Sequence, residues 1–190
     1  NPEKLEELKA LFMHVAEENK VLPIGGGLFV PFNPQEQKRT TNTEWTLFDR
    51  MTRIPESLAP NVRNGNLRAE IEAEVPASVN GVIFAMGGYA GGVSLYAVDG
   101  ELRYEYSALL PKRDKITVGK LPAGKVKIAF EMRTPLERAA PAEVVFWING
   151  EEAATGTVQR TVPLTFTASE TFDVGMDTSS PVADDYFEKA

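Results

Sequence analysis

The sequence predicts a mainly β protein: an antiparallel two-sheet β-sandwich preceded by one N-terminal α-helix. Three observations carry this. The first 19 residues repeat their apolar positions at helical spacing. From Trp45 onward the period falls to two. Two dipeptides of hairpin-turn chemistry, Asp99-Gly100 and Asn149-Gly150, each lie between apolar runs. No helical pattern interrupts the later segments, which favours two bent sheets in a jelly roll over a closed barrel.

The helix comes first. Asn1 can cap it, and Pro2 suits the first helical position, where a missing N–H costs nothing. Glu3 meets the positive end of the helix dipole. Leu5, Leu8, Phe12 and Val15 form one stripe, with Leu11 beside it, and Asn19 is the expected stop. Pro23, Gly25-Gly26-Gly27 and Pro31 then predict an extended connection, with a boundary near residues 33–43. The division expected is 1–35 as helix and linker, and 36–190 as the sandwich.

Strands follow. Leu67, Ala69, Ile71, Ala73 and Val75 alternate with Arg68, Glu70, Glu72 and Glu74, giving one dry and one wet face. Val82-Ile83-Phe84-Ala85-Met86 reads as a central strand buried on both sides. Residues 94–98 and 101–106 flank the first hairpin turn, and 144–148 and 151–158 flank the second. Val126, Ile128, Phe130 and Met132 mark another strand between them. Leu164-Thr165-Phe166 and Phe172-Asp173-Val174 add two short ones.

Composition bounds the function. The chain has 190 residues, 43% hydrophobic and 25% charged, enough for one sizeable core. A net charge of −7 without a Lys/Arg cluster argues against nucleic acid. No apolar run reaches the length of a membrane span, so no membrane partner is expected. No basic and apolar leader opens the chain, which in a fragment says nothing of the parent's address. Zero Cys excludes disulfides and thiolate sites but leaves the compartment open, a periplasmic or extracellular parent included.

The block from Thr161 to Tyr186 resembles the tail of the β-sandwich at the C-terminal end of many bacterial arylsulfatases. Thr52-Arg53-Ile54-Pro55-Glu56, Ala59-Pro60-Asn61-Val62 and Gly91-Gly92-Val93-Ser94-Leu95-Tyr96 are similar to earlier blocks of that domain. Asn1 to Phe12, running on to Val21-Leu22-Pro23, looks like the last helix of the sulfatase domain itself. The resemblance implies a concanavalin A-like jelly roll that carries no catalytic residue and packs on the catalytic sulfatase domain of the same polypeptide. It implies a parent using formylglycine and Ca²⁺, and a family sandwich that runs past Ala190 into one more strand, leaving a sheet edge open here. The chain has no Cys, and its partial match to the formylglycine motif C/S-x-P-x-R, Ser179-Ser180-Pro181-Val182-Ala183, has Ala in place of Arg. A non-catalytic accessory domain is therefore expected, with no cofactor of its own and no sulfatase activity by itself.

Other constellations define the alternatives. Tyr104 and Tyr106 share one strand face and are the candidate ligand-binding residues of a carbohydrate-binding module, with a sulfated glycan as the partner. Glu70, Glu72 and Glu74 place three carboxylates on one strand face, as a glycosidase would need, although a wet sheet face explains them more simply. Asp173, Asp177, Asp184 and Asp185 offer hard oxygen ligands, but turn chemistry is the stronger explanation and no metal site is assigned. Gly87-Gly88-Tyr89-Ala90-Gly91-Gly92 reads as a flexible hairpin loop, because no helix follows to make a phosphate cradle. The sole histidine, His14, has no nucleophile set around it.

Overall fold

The computed structural model describes residues 2–22, 42–109, 112–135, 137–167, 169–178 and 180–186. The chain divides into two compact units, Asn1–Thr41 and Asn42–Ala190. The Asn1 cap, Gly25-Gly26-Gly27 and the division expected at 35/36 lie outside the described residues.

In the first unit α1 spans Pro2–Glu18. Its end follows from local chemistry. Lys20 takes a positive φ of 55°, its N–H bonds to Glu17 O, and the Val21 N–H reaches back to Ala16 O at 2.9 Å. Asn19 adds a side-chain bond to Val15 O at 2.8 Å. Of the whole helix only Ala16 is buried.

The second unit is the sandwich. Its strands are β1 (Ile54–Pro55), β2 (Leu67–Val75), β3 (Gly81–Gly88), β4 (Gly91–Val98), β5 (Glu101–Ser107), β6 (Arg113–Lys120), β7 (Gly124–Arg133), β8 (Ala142–Ile148), β9 (Glu151–Val158) and β10 (Thr171–Val174). They form a six-stranded sheet in the order β1-β10-β3-β4-β5-β6 and a four-stranded sheet in the order β2-β7-β8-β9. Every pairing is antiparallel. Both expected hairpin turns have positive φ at each central residue, 51° and 77° at Asp99-Gly100 and 53° and 88° at Asn149-Gly150. That backbone matches the twist of the flanking strands.

Between the sheets Phe84, Tyr104, Phe130, Phe146 and Phe172 form an aromatic chain, with neighbouring centroids 5.4–6.3 Å apart. Each such ring contributes roughly 1.5–3 kcal/mol by leaving water. A second apolar cluster lies on the opposite face of the six-stranded sheet. There Val82, Ala85 and Tyr96 are covered by Val182, Ala183 and Tyr186 from the C-terminal segment. This cover explains why residues 82–86 read as buried on both sides.

Three expectations need correction. Residues 164–166 are not a strand; Phe166 is buried, but its N–H bonds to the Glu56 carboxylate at 3.1 Å instead of a ladder. Strand β6 was not anticipated, because Arg113-Asp-Lys-Ile-Thr-Val-Gly-Lys120 offers only Ile116 and Val118 as inward apolar positions. The glycine run is not a flexible loop. Gly87, Gly88, Gly91 and Gly92 are paired strand residues, and only Tyr89-Ala90 turns. A Cβ at Gly92 would lie 2.5 Å from Met86 O and 2.9 Å from Val182, and one at Gly88 would collide with Ser180 Oγ. Glycine is required there for close approach.

Candidate functional site

The structure disperses the residues that the sequence singled out. Tyr104 and Tyr106 do share a face, but it is the inward one. They are 1% and 0% exposed, so neither offers a ring to a sugar. Tyr104 packs against Phe146 at 5.4 Å. The Tyr106 hydroxyl donates to Arg63 O at 2.7 Å and accepts the Val162 N–H at 2.8 Å, tying two loops to the core. Burial pushes both phenols well above their ordinary range, so they stay neutral. Strand alternation had located the pair correctly; it could not say which face the opposite sheet covers.

Glu70, Glu72 and Glu74 lie on the exposed face of β2. Arg68 donates to Glu70 at 3.0 Å and to Glu131 at 2.7 Å, and Lys127 pairs with Glu72 at 2.8 Å. Glu74 stands opposite Lys125 in register. The hydrogen bond and charge of Lys127 hold the Glu72 carboxyl below its ordinary range, the opposite of what a general acid needs. The face is a ladder of opposed charges. Trp147 belongs to it: this ring is partly exposed, with the Arg68 guanidinium 5.4 Å from its centroid.

The aspartates near the C-terminus have separate anchoring roles. Asp173 accepts the Arg53 N–H at 2.5 Å, the Thr178 N–H at 3.0 Å and the Thr178 hydroxyl at 2.6 Å. Asp177 accepts the Tyr186 hydroxyl at 2.7 Å. Asp184 is exposed. Asp185 joins a network that the sequence did not disclose, with Arg103 at 2.7 Å, Lys115 at 3.0 Å and the Tyr96 hydroxyl at 2.9 Å. The buried Glu105 carboxylate is part of the same network, held by Arg113 at 2.8 Å and Lys115 at 3.2 Å. Burial raises the Asp185 carboxyl, but hydrogen bonds from Lys115, Arg103 and Tyr96 outweigh it and hold it at about 2. The network pins the segment 180–186 onto the six-stranded sheet. Within it Val182 and Ala183 are fully buried packing residues. Among the described residues no group of three or more His, Asp or Glu is placed to hold a metal ion.

The described residues line a smaller and a larger concavity. A polar recess of about 360 Å³ is lined by Glu56, Thr165, Thr167, Ser169 and Glu170. Its central carboxylate is already engaged by Arg63 at 2.8 Å and by Thr165. The larger is a cleft of about 1310 Å³ along β2, lined also by Trp45, Leu47, Ile83, Phe84 and Val174. The sequence signal for it was the apolar row Leu67, Ala69, Ile71 and Ala73, which turns out half-buried where the pattern implied full burial.

Strand order and register define an antiparallel two-sheet β-sandwich, preceded in the chain by one helix. No protein-family model and no curated protein matches the chain. Among solved structures it is similar to the mouse laminin alpha1 chain, domains LG4-5, with 16% sequence identity and a TM-score of 0.48. That match covers 69% of this chain and 34% of the laminin chain, about a third of its length.

Proposed function

We propose that the chain is the non-catalytic C-terminal part of an arylsulfatase-like sulfuric ester hydrolase, a scaffold packed on a catalytic sulfatase domain. One observation carries the reading. The stripe of α1 is uncovered: Leu5, Leu8, Leu11 and Phe12 are 53%, 51%, 55% and 59% exposed. A 17-residue helix with a bare apolar stripe is marginal in water, because such helices draw most of their stability from tertiary packing. The stripe suits a surface that docks on a further folded body. The reading is supported by the composition, since the chain has no Cys and no complete formylglycine motif.

Purified chain should show no turnover of a chromogenic aryl sulfate, with or without Ca²⁺, and clear turnover would overturn the scaffold role. The reading frame upstream of Asn1 should encode a C/S-x-P-x-R motif, and an unrelated upstream sequence would overturn the provenance. The carbohydrate-module reading has lost its two tyrosines to the core. The glycosidase reading meets Glu70 and Glu72 engaged in ion pairs with Arg68 and Lys127.

A further inference from the structure

The chain contains three Asn-Gly pairs, Asn64-Gly65, Asn80-Gly81 and Asn149-Gly150. Such a pair can react with itself. The glycine nitrogen attacks the asparagine side-chain carbon, and a residue without a Cβ puts no steric block in the way. The reaction needs a free glycine N–H, a polarised side-chain amide and room for a five-membered ring. Gly65 is half-buried, and its N–H donates to Thr134 Oγ1 at 3.3 Å. Gly81 is a residue of β3, held in register with Ala97. In the related turn Asp99-Gly100 the Gly100 N–H is committed to Val79 O at 3.0 Å.

Asn149-Gly150 meets all three needs. Both residues are exposed and lie in the turn between β8 and β9. Among the described residues the Gly150 N–H has no hydrogen-bond partner. Beyond its chain neighbours, no described atom lies within 4 Å of where a Gly150 Cβ would stand. Asn149 Oδ1 accepts the Lys127 N–H at 2.9 Å. That donor points at the oxygen on which negative charge develops during attack, and a prepositioned donor there lowers the barrier. We infer that Asn149 is a site of spontaneous covalent modification, deamidating in the folded chain to aspartate and isoaspartate. The Gly150 nitrogen bonds to Asn149 Cγ and gives up its proton, the Cγ–Nδ2 bond breaks, and ammonia leaves with that proton. Water then opens the cyclic imide. Opening at the side-chain carbonyl gives aspartate, and opening at the main-chain carbonyl routes the chain through Cγ as isoaspartate. Aspartate suits the turn, as Asp99-Gly100 shows with the same signs of φ. Isoaspartate adds one carbon to the main chain between the paired residues Ile148 and Glu151, so it loosens the β8–β9 hairpin.

The test incubates the whole chain, folded, in warm and mildly alkaline buffer, then maps its peptides by mass spectrometry with fragmentation that separates isoaspartate from aspartate. Asn149 should gain one mass unit first, ahead of Asn80 and roughly fivefold or more faster than Asn64, whose glycine must first release its hydrogen bond. In guanidinium the three rates should converge. Asn149→Asp should remove the mass gain at this position and keep the wild-type circular dichroism. The inference is overturned if Asn64 or Asn80 converts as fast as Asn149 in the folded chain. It is equally overturned if Asn149 stays intact in the folded chain while it converts in guanidinium.

Discussion

The Tyr96 and Tyr186 rings meet edge to face with centroids 5.1 Å apart, on the face of the six-stranded sheet turned away from the main core. Residues ninety positions apart in the chain thus close a second core that holds the C-terminal segment down. Tyr186→Ala should cost about 2–4 kcal/mol, the range for removing a buried ring. Tyr186→Phe keeps the ring and strips the hydroxyl from Asp177, so about 1–2 kcal/mol is expected. Urea denaturation of both variants orders them, and equal costs would show that the ring contributes nothing.

Asp185 makes this segment sensitive to acid. Its carboxyl is held at about 2 in the folded chain, against 3.8 ordinarily. A depressed carboxyl contributes stability above its unfolded value and loses it as pH falls through the folded one. The window is therefore from about pH 4 down to about pH 2. The group is partly exposed, so screening reduces the contribution to about 1 kcal/mol. Asp185→Asn should flatten the acid limb of the stability profile in that window and leave the slope above pH 5 unchanged.

The contact between β6 and β9 depends on one missing methyl. A Cβ on Gly156 would lie 2.5 Å from Ile116 Cδ1 and 2.6 Å from Cγ1. Gly156→Ala should destabilise by about 1–3 kcal/mol through overpacking. Adding Ile116→Val removes the nearest atom and should recover part of that loss. A double-mutant cycle measures the coupling, and strict additivity would refute the contact.

Tyr104→Ala is a test of stability and not of sugar binding. The ring is fully buried against Phe130 and Phe146, so its removal should cost about 3–5 kcal/mol. Any loss of glycan binding in this variant must be read beside its melting temperature. Tyr104→Phe should retain the packing and lose far less.

Much of the architecture was legible because it rests on local chemistry. Period-two alternation at 67–75 and 126–132, and two Asx-Gly turns, specify strands and their hairpins before any tertiary contact forms. Helix α1 was legible for the same reason, through its stripe and its Asn19 stop. Strand β6 was not, because its membership comes from pairing with β5, and residues 164–166 failed because a Glu56 carboxylate supplanted the ladder.

The candidate site was far less legible, and the reason is geometric. Alternation tells which side chains share a face but not what covers that face. The sequence by itself determined the elements, the charge and the absence of thiol chemistry. Only the tertiary structure decided that Tyr104 and Tyr106 point inward, that Asp185 pins the C-terminal segment, and that the apolar row of β2 is only half-buried. Those outcomes depend on residues brought together from across the chain, and no local propensity encodes such distances.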